Sequence, residues 1–403
     1  MAPNHRFSVF YSKFALYFLA MNFSFSTQRY YRIAVSTFFF IQGLIFSSWA
    51  NRIPDIKHLL GLNEAGLGGV LFLLPMGQLT AMALSGYLVS KFGSKKTLSI
   101  AAILYPTALL GLGSVRSVWQ LSLGLYVFGM CANLTNISIN TQGVGVERIY
   151  RRSIMASFHG IWSLAGFTGG LISTLMVGLN IPPFEHFCII YVVVLMVILT
   201  MRNSVLPRDT TKEANGKRKG FAKPDAVIFT LGTIVFGSMI CEGTMFDWSS
   251  IYFQKIINPP KELVRLGYIA FMFTMAGGRF AADYMVTRFG ITKVLRASGI
   301  TIATGLLTAV LFPYLPTATL GFLLVGIGTS SVVPLCYSLA GRSKTMHPGV
   351  AVATVSSIGF LGFLIGPPII GFVAQVSSLR WSFTMIALFG LITSLMAGKV
   401  RRV

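Results

Sequence analysis

Of the eleven acidic residues in 403, only Glu242 and Asp283 lie inside long apolar runs, and Asp247 stands at the end of one. A charge kept in hydrocarbon costs ~2.5–3.5 kcal/mol on insertion scales, so each of these needs a partner or a task. Glu242 sits about 25 Å along its run, and Asp247 follows about 140° further round an unbroken helix. Glu242, the deeper of the two, is the better candidate for a titrating group that holds a proton in one state and releases it in another. Arg52 is the basic residue best placed in the sequence to steady the released carboxylate, with Asp247 and His159 as alternative proton carriers. The competing reading makes Glu242 a structural partner for a neighbouring helix or loop base. Arg279 and Asp283, four apart, stack on one helical face, with Arg279 about 13 Å before Arg288. They read as a mutually neutralising pair, or else Arg279 meets an anion. His159, beside Trp162 and Ser163, reads as a hydrogen-bonded structural histidine or as a proton carrier.

Polar residues at helical spacing mark a second kind of chemistry. Within 118–143, Tyr126, Gly129, Asn133, Asn136 and Asn140 recur at intervals of three and four along one face. Asparagine in an apolar helix bonds either a neighbouring helix or a polar solute. Three aligned asparagines suggest a cavity lining, whereas Gln142, on the opposite side, reads as structural. Phe38, Gln42, Ile45, Phe46 and Trp49 form a comparable stripe within 31–50, and Ser330, Pro334 and Tyr337 a shorter one within 317–341. Ordinary helix packing is the alternative for both.

The elements that must carry these residues follow from composition. The chain is 54% hydrophobic and 11% charged, with 33 Phe and 41 Gly, against roughly 25% charged in ordinary globular proteins. Apolar runs long enough to cross a bilayer fall near 31–50, 66–90, 97–114, 118–143, 152–178 and 185–202. Six more fall near 225–247, 264–287, 293–313, 317–341, 349–376 and 381–400. The expected fold is therefore an all-α polytopic membrane protein of twelve transmembrane helices, numbered 1–12 here. Residues 1–29 form an N-terminal cytoplasmic or interfacial segment. Residues 30–202 form one six-helix bundle, 203–223 a basic linker with Lys217, Arg218 and Lys219, and 224–403 a second bundle.

A net charge of +22 would suggest nucleic acid in a soluble chain. Here 25 of the 33 Lys and Arg fall on segments that share a side with the termini, and seven on the opposite loops. That bias places both termini in the cytoplasm of a multi-pass inner-membrane protein with no nucleic-acid partner. Cys131, Cys188, Cys241 and Cys336 all lie in apolar runs as packing residues. No metal-ligand spacing, phosphate loop or nucleophile–histidine–acid signature is present, so neither an enzyme nor a bound cofactor or metal is expected.

The halves resemble each other. Leu88-Val89-Ser90-Lys91-Phe92-Gly93 recurs as Met285-Val286-Thr287-Arg288-Phe289-Gly290, 197 residues on. Gly166 and Gly170 recur as Gly362 and Gly366 at an offset of 196, and Trp49 as Trp248 at 199. Two parallel six-helix pseudo-repeats with a site between them describe a transporter architecture.

Gly86 followed by Ser90-Lys91-Phe92-Gly93-Ser94-Lys95-Lys96 resembles the loop signature between helices 2 and 3 of the major facilitator superfamily, with Ser90 at the usual acidic position. Other stretches resemble its MosC-like branch. In the first half these are Ser48-Trp49-Ala50-Asn51-Arg52-Ile53-Pro54, Asn140-Thr141-Gln142-Gly143, Val146-Glu147-Arg148, and Ser157-Phe158-His159-Gly160 with Trp162-Ser163. In the second half they are Glu242-Gly243, Asp247-Trp248-Ser249, Gly278-Arg279 and Gly366-Pro367-Pro368. The resemblance implies the major facilitator fold, with helices 1, 4, 7 and 10 around a central cavity and helices 2, 5, 8 and 11 flanking the interface between halves. It implies a secondary transporter fold, and a monomer is expected. The amides favour a sugar, polyol or amino-polyol substrate, bound by Gln42, Trp49, Tyr126, Asn133, Asn136, Asn140 and Tyr337. Protons drive it through Glu242, Asp247, Arg52, His159, Arg279 and Asp283. Efflux of hydrophobic, drug-like compounds is the alternative, and a channel or non-transporting membrane protein the alternative of another class.

Overall fold

The computed structural model describes residues 27–151, 154–207, 226–343, 346 and 348–402. Most of the expected N-terminal segment and linker lies outside the described residues. In lipid each backbone polar group must be satisfied within its own segment, so apolar runs become helices. Helices 1 to 6 are Thr27–Ala50, Glu64–Leu71 continued by Leu73–Phe92, Ser94–Gly113, Val118–Tyr150, Met155–Gly178 and Pro183–Met201. Helices 7 to 12 are Ala226–Tyr252, Leu266–Phe289, Ile291–Leu311, Leu315–Thr329 continued by Val332–Ala340, Pro348–Val376 and Leu379–Ala397. A short connecting helix, Ile53–Leu59, follows helix 1. Among the described residues, eleven helices are long and apolar enough to span a membrane. Helix 8 falls short because Arg279, Asp283 and Arg288 lower its mean hydropathy.

The pseudo-repeat is visible in both packing and backbone. Helix 1 packs on 5, 2 on 4, 3 on 4 and 3 on 6; the matching pairs 7 on 11, 8 on 10, 9 on 10 and 9 on 12 recur in the second half. Gly93 and Gly290, the start of helices 3 and 9, have φ/ψ of 82°/152° and 81°/150°. Only glycine takes that conformation without strain. The two copies thus turn the same corner with the same residue.

Two faces can be told apart by their contacts. On the terminal face, Tyr30 bonds Ser204, Arg32 lies over the Tyr150 ring, and Lys95 donates to the Asn203 carbonyl. Gln142 donates to Ser94 Oγ at 2.7 Å and accepts from the Leu206 amide at 2.8 Å, a structural clasp as expected. Glu147 caps the start of helix 5 by accepting from the amides of Ile154 and Met155. The far face joins the connecting helix, Glu64 and Asn180 of the first half to the segment between helices 7 and 8.

Contacts between halves gather toward the far face and the midplane. The first piece of helix 2 packs on helix 11, where a Cβ on Gly68 would lie 2.6 Å from the Pro367 carbonyl oxygen. Helix 5 packs on helix 8, with Gly166 against Met272 and Gly170 against Ile269. These two glycines serve the interface between halves. Their repeats do not: Gly362 and Gly366 pack on Phe236 and Ile240 of helix 7, inside their own half.

Candidate functional site

Helices 1 and 7 approach each other through Phe46 and Phe246, whose rings meet edge to face at 5.3 Å. Trp162 of helix 5 completes a triangle, 5.9 Å from Phe46 and 5.8 Å from Phe246. Phe246 also touches Phe271 of helix 8 at 5.6 Å and stacks on Phe363 of helix 11 at 6.2 Å. Five helices from both halves thus meet in one aromatic plug. Gln42 and Glu242 each stand four residues before a plug phenylalanine, hence one turn closer to the terminal face on the same helical side. Gln42 is 8% exposed and makes no side-chain hydrogen bond among the described residues.

Glu242 has a cation partner, but not the one expected from sequence. Arg52 lies on the far face, donating to His186 Nδ1 at 3.2 Å and to the Ile181 carbonyl at 2.7 Å. The Glu242 carboxylate pairs instead with Arg279 of helix 8, Nη2 to Oε2 at 3.7 Å. Arg279 does not pair with Asp283, which is exposed. Its Nη1 crosses to the other half, donating to Ser163 Oγ at 2.6 Å and to the His159 carbonyl at 3.3 Å. The guanidinium also lies 6.0 Å from the Trp162 ring centroid. A flexible four-bond side chain reaches these groups more readily than the carboxylate one turn along its own helix, because they stand across the interface it faces.

The remaining expected residues scatter. Asp247 is half-buried in helix 7, past the plug and near Tyr268. His159 is exposed, its ring edge-on to Phe39 at 5.4 Å. Trp49 is buried in the first half, its ring 6.4 Å from that of Phe128. The asparagine stripe divides. Gly129 packs so tightly on helix 2 that a Cβ would lie 2.1 Å from the Leu74 carbonyl oxygen, and the Tyr126 hydroxyl bonds Thr80 at 2.9 Å. Tyr126 is therefore a helix–helix contact. Asn133 is half-buried and its Oδ1 has no partner among the described residues. Asn136 is exposed, and Asn140 donates to its Oδ1 at 2.6 Å. Tyr337, half-buried, donates to Ser356 Oγ at 3.1 Å and lies within electrostatic reach of Glu242. Ser330, expected beside it on one stripe, is buried against Gly278 of helix 8.

Of the far-face charges, sequence reasoning singled out Arg52 alone. Asp55 accepts from Arg52 at 3.3 Å and from Arg265, and Arg265 Nε donates to the Asn51 carbonyl at 2.9 Å. Glu64 accepts from Lys57 at 3.4 Å and from Lys255. Asn51 and Arg52 belong to the motif stretch that ends helix 1 and opens the connecting helix, the one sequence signal that could have drawn attention here.

Among the described residues, twelve long helices in two six-helix halves with matching internal packing define a polytopic transporter fold. A sequence profile of the Major Facilitator Superfamily matches residues 33–344 and 252–403, and the chain belongs to that family. It is 34% identical to an uncharacterized MFS-type transporter of Yersinia pestis over 90% of this chain and 94% of that one. It is 28% identical to the membrane protein MosC of Rhizobium meliloti over 90% and 88%. Among solved structures, the nucleoside transporter NupG shares the fold with a TM-score of 0.71 at 14% identity, covering 94% of this chain and all of that one. The Escherichia coli fucose:proton symporter FucP has a TM-score of 0.61 at 15% identity, covering 92% and 98%.

Proposed function

We propose that this transporter moves a small polar solute, a sugar, polyol or amino-polyol, by proton-coupled alternating access. Residues 203–223 tether the halves, and the terminal face lies in the cytoplasm. The basic bias of that face supports the orientation. A cysteine at exposed Ser90 should then be labelled only from the cytoplasm and one at exposed Asn63 only from outside; the reverse pattern would invert the assignment. The structure corresponds in this reading to the state closed outside and accessible from within. Helix 4 packs on helices of its own half, and so does the second piece of helix 10. The terminal-face ends of these cavity helices therefore take little part in sealing the halves.

One observation carries the coupling mechanism: Arg279 holds Glu242 of its own half and Ser163 and the His159 carbonyl of the other. A carboxylate in an apolar interior needs its counter-charge, and a protonated carboxyl does not. Proton binding at Glu242 thus releases one claim on Arg279 and changes how firmly helix 8 is held to helix 5. The substrate, lying between Gln42, Asn133, Asn136 and Tyr337 beneath the plug, meets the same helices. The polar lining and the fold shared with a nucleoside transporter and a fucose:proton symporter support a polar solute. Glu242→Gln mimics the protonated acid and cannot release a proton. In proteoliposomes it should lose accumulation driven by a pH gradient and keep exchange of labelled for unlabelled substrate. Accumulation at the native level would remove Glu242 from the coupling role.

A further inference from the structure

The far-face cluster has a regularity that its distances alone do not announce. Each of its two carboxylates is held by one cation from its own half and one from the other. Asp55 accepts from Arg52 of the first half and Arg265 of the second; Glu64 accepts from Lys57 of the first and Lys255 of the second. Arg52 and Arg265 are both 2% exposed. The partners across the interface stand 210 and 191 residues apart in sequence. Lys261 adds a contact of the same sense, donating to Asn180 Oδ1. Each acid therefore has a resident cation and a visiting one.

We propose that Asp55 and Glu64 are the positioning residues of an outer latch that sets the balance between the two transport states. The resident cation makes the latch reversible. An unpaired carboxylate left in a partly buried site is costly, and a latch with only visiting cations would strand one each time the halves part. Here Arg52 stays with Asp55 and Lys57 with Glu64, while Arg265, Lys255 and Lys261 leave for water, where cations are well solvated. Closing restores the second cation to each acid, together with the bond from Arg265 to the Asn51 carbonyl. The acids thus favour closure, and the resident cations weaken that preference by competing with the visitors.

This proposal rests on alternating access and yields shifts of opposite sign. Amide hydrogen exchange of the full chain in lipid nanodiscs, without substrate or proton gradient, reads both faces at once. Asp55→Asn and Glu64→Gln should speed exchange about tenfold in Ile53–Leu59 and Lys261–Leu263 and slow it in residues 141–150 on the terminal face. Lys57→Met, which leaves Glu64 dependent on Lys255, should do the reverse. Faster exchange on both faces in all three variants would mean that the cluster only stabilises the fold and would overturn the latch. Unchanged exchange in the two acid variants would overturn it as well. Since no gradient is applied, failure here leaves Glu242 as the coupling group, and failure of Glu242→Gln leaves the latch.

Discussion

The far-face cluster and the midplane pair use the same charges in different ways. At the far face two carboxylates share four cations, in a rim where Lys255 is 43% and Asp55 32% exposed at the side chain. At the midplane one carboxylate, 6% exposed, has one guanidinium, 14% exposed, at 3.7 Å. That guanidinium spends its shorter bond, 2.6 Å, on a neutral hydroxyl of the other half. The rim is redundant, so the loss of any one cation leaves each acid partnered. The midplane is not redundant, so any change at Glu242 is felt at helix 5. Redundancy suits a latch that must open and close repeatedly, and its absence suits a site that must respond to a single proton.

The contrast breaks if the two clusters tolerate the same injury. Arg279→Ala leaves Glu242 buried without a cation and Ser163 without its donor, a loss of ~3–5 kcal/mol by analogy with other buried pairs. It should abolish transport and markedly lower the thermal unfolding midpoint. The double variant with Glu242→Gln should recover most of the stability and none of the accumulation. Lys255→Ala removes an exposed visitor while Lys57 stays, and should cost ~0–1 kcal/mol. Equal drops in melting temperature for Arg279→Ala and Lys255→Ala would show that the midplane pair is no less redundant than the rim.

The fold was legible because hydrophobic length and the positional repeat of Ser90-Lys91-Phe92-Gly93 report backbone requirements directly. The Gly93 and Gly290 dihedrals are the physical content of that repeat. The charged residues of the site were legible as misfits in apolar runs, but their partners were not. Spacing of four within helix 8 pointed Arg279 to Asp283, whereas tertiary packing turns it to Glu242 and Ser163. The rim was illegible for the opposite reason. Asp55, Glu64, Lys255 and Arg265 sit at the ends of apolar runs, where a charge looks solvated, and only the meeting of two distant segments makes them a cluster. The stripe on helix 4 shows a third limit. Helical periodicity groups Tyr126 with Asn136, but helix 2 covers the first and leaves the second exposed.

That division gives two smaller tests on a single helix. Asn136→Leu removes an amide whose only side-chain partner among the described residues is Asn140 on the same helix. It should abolish or severely reduce uptake with the melting temperature close to native, since no interhelical bond is lost. A clearly destabilised variant with native uptake would move Asn136 from the cavity to the packing. Tyr126→Phe removes only the hydroxyl bond to Thr80 and keeps the ring on helix 2. Interhelical hydrogen bonds of this kind in membranes average about 0.6 kcal/mol, because the freed partner finds other bonds within its own helix. Thr80 has such a bond at hand, donating to the Gly77 carbonyl at 3.1 Å. Substrate affinity and transport rate should therefore stay native while the melting temperature falls slightly. A loss of affinity in Tyr126→Phe without loss of stability would extend the binding surface toward the far face and join the two regions of the stripe again.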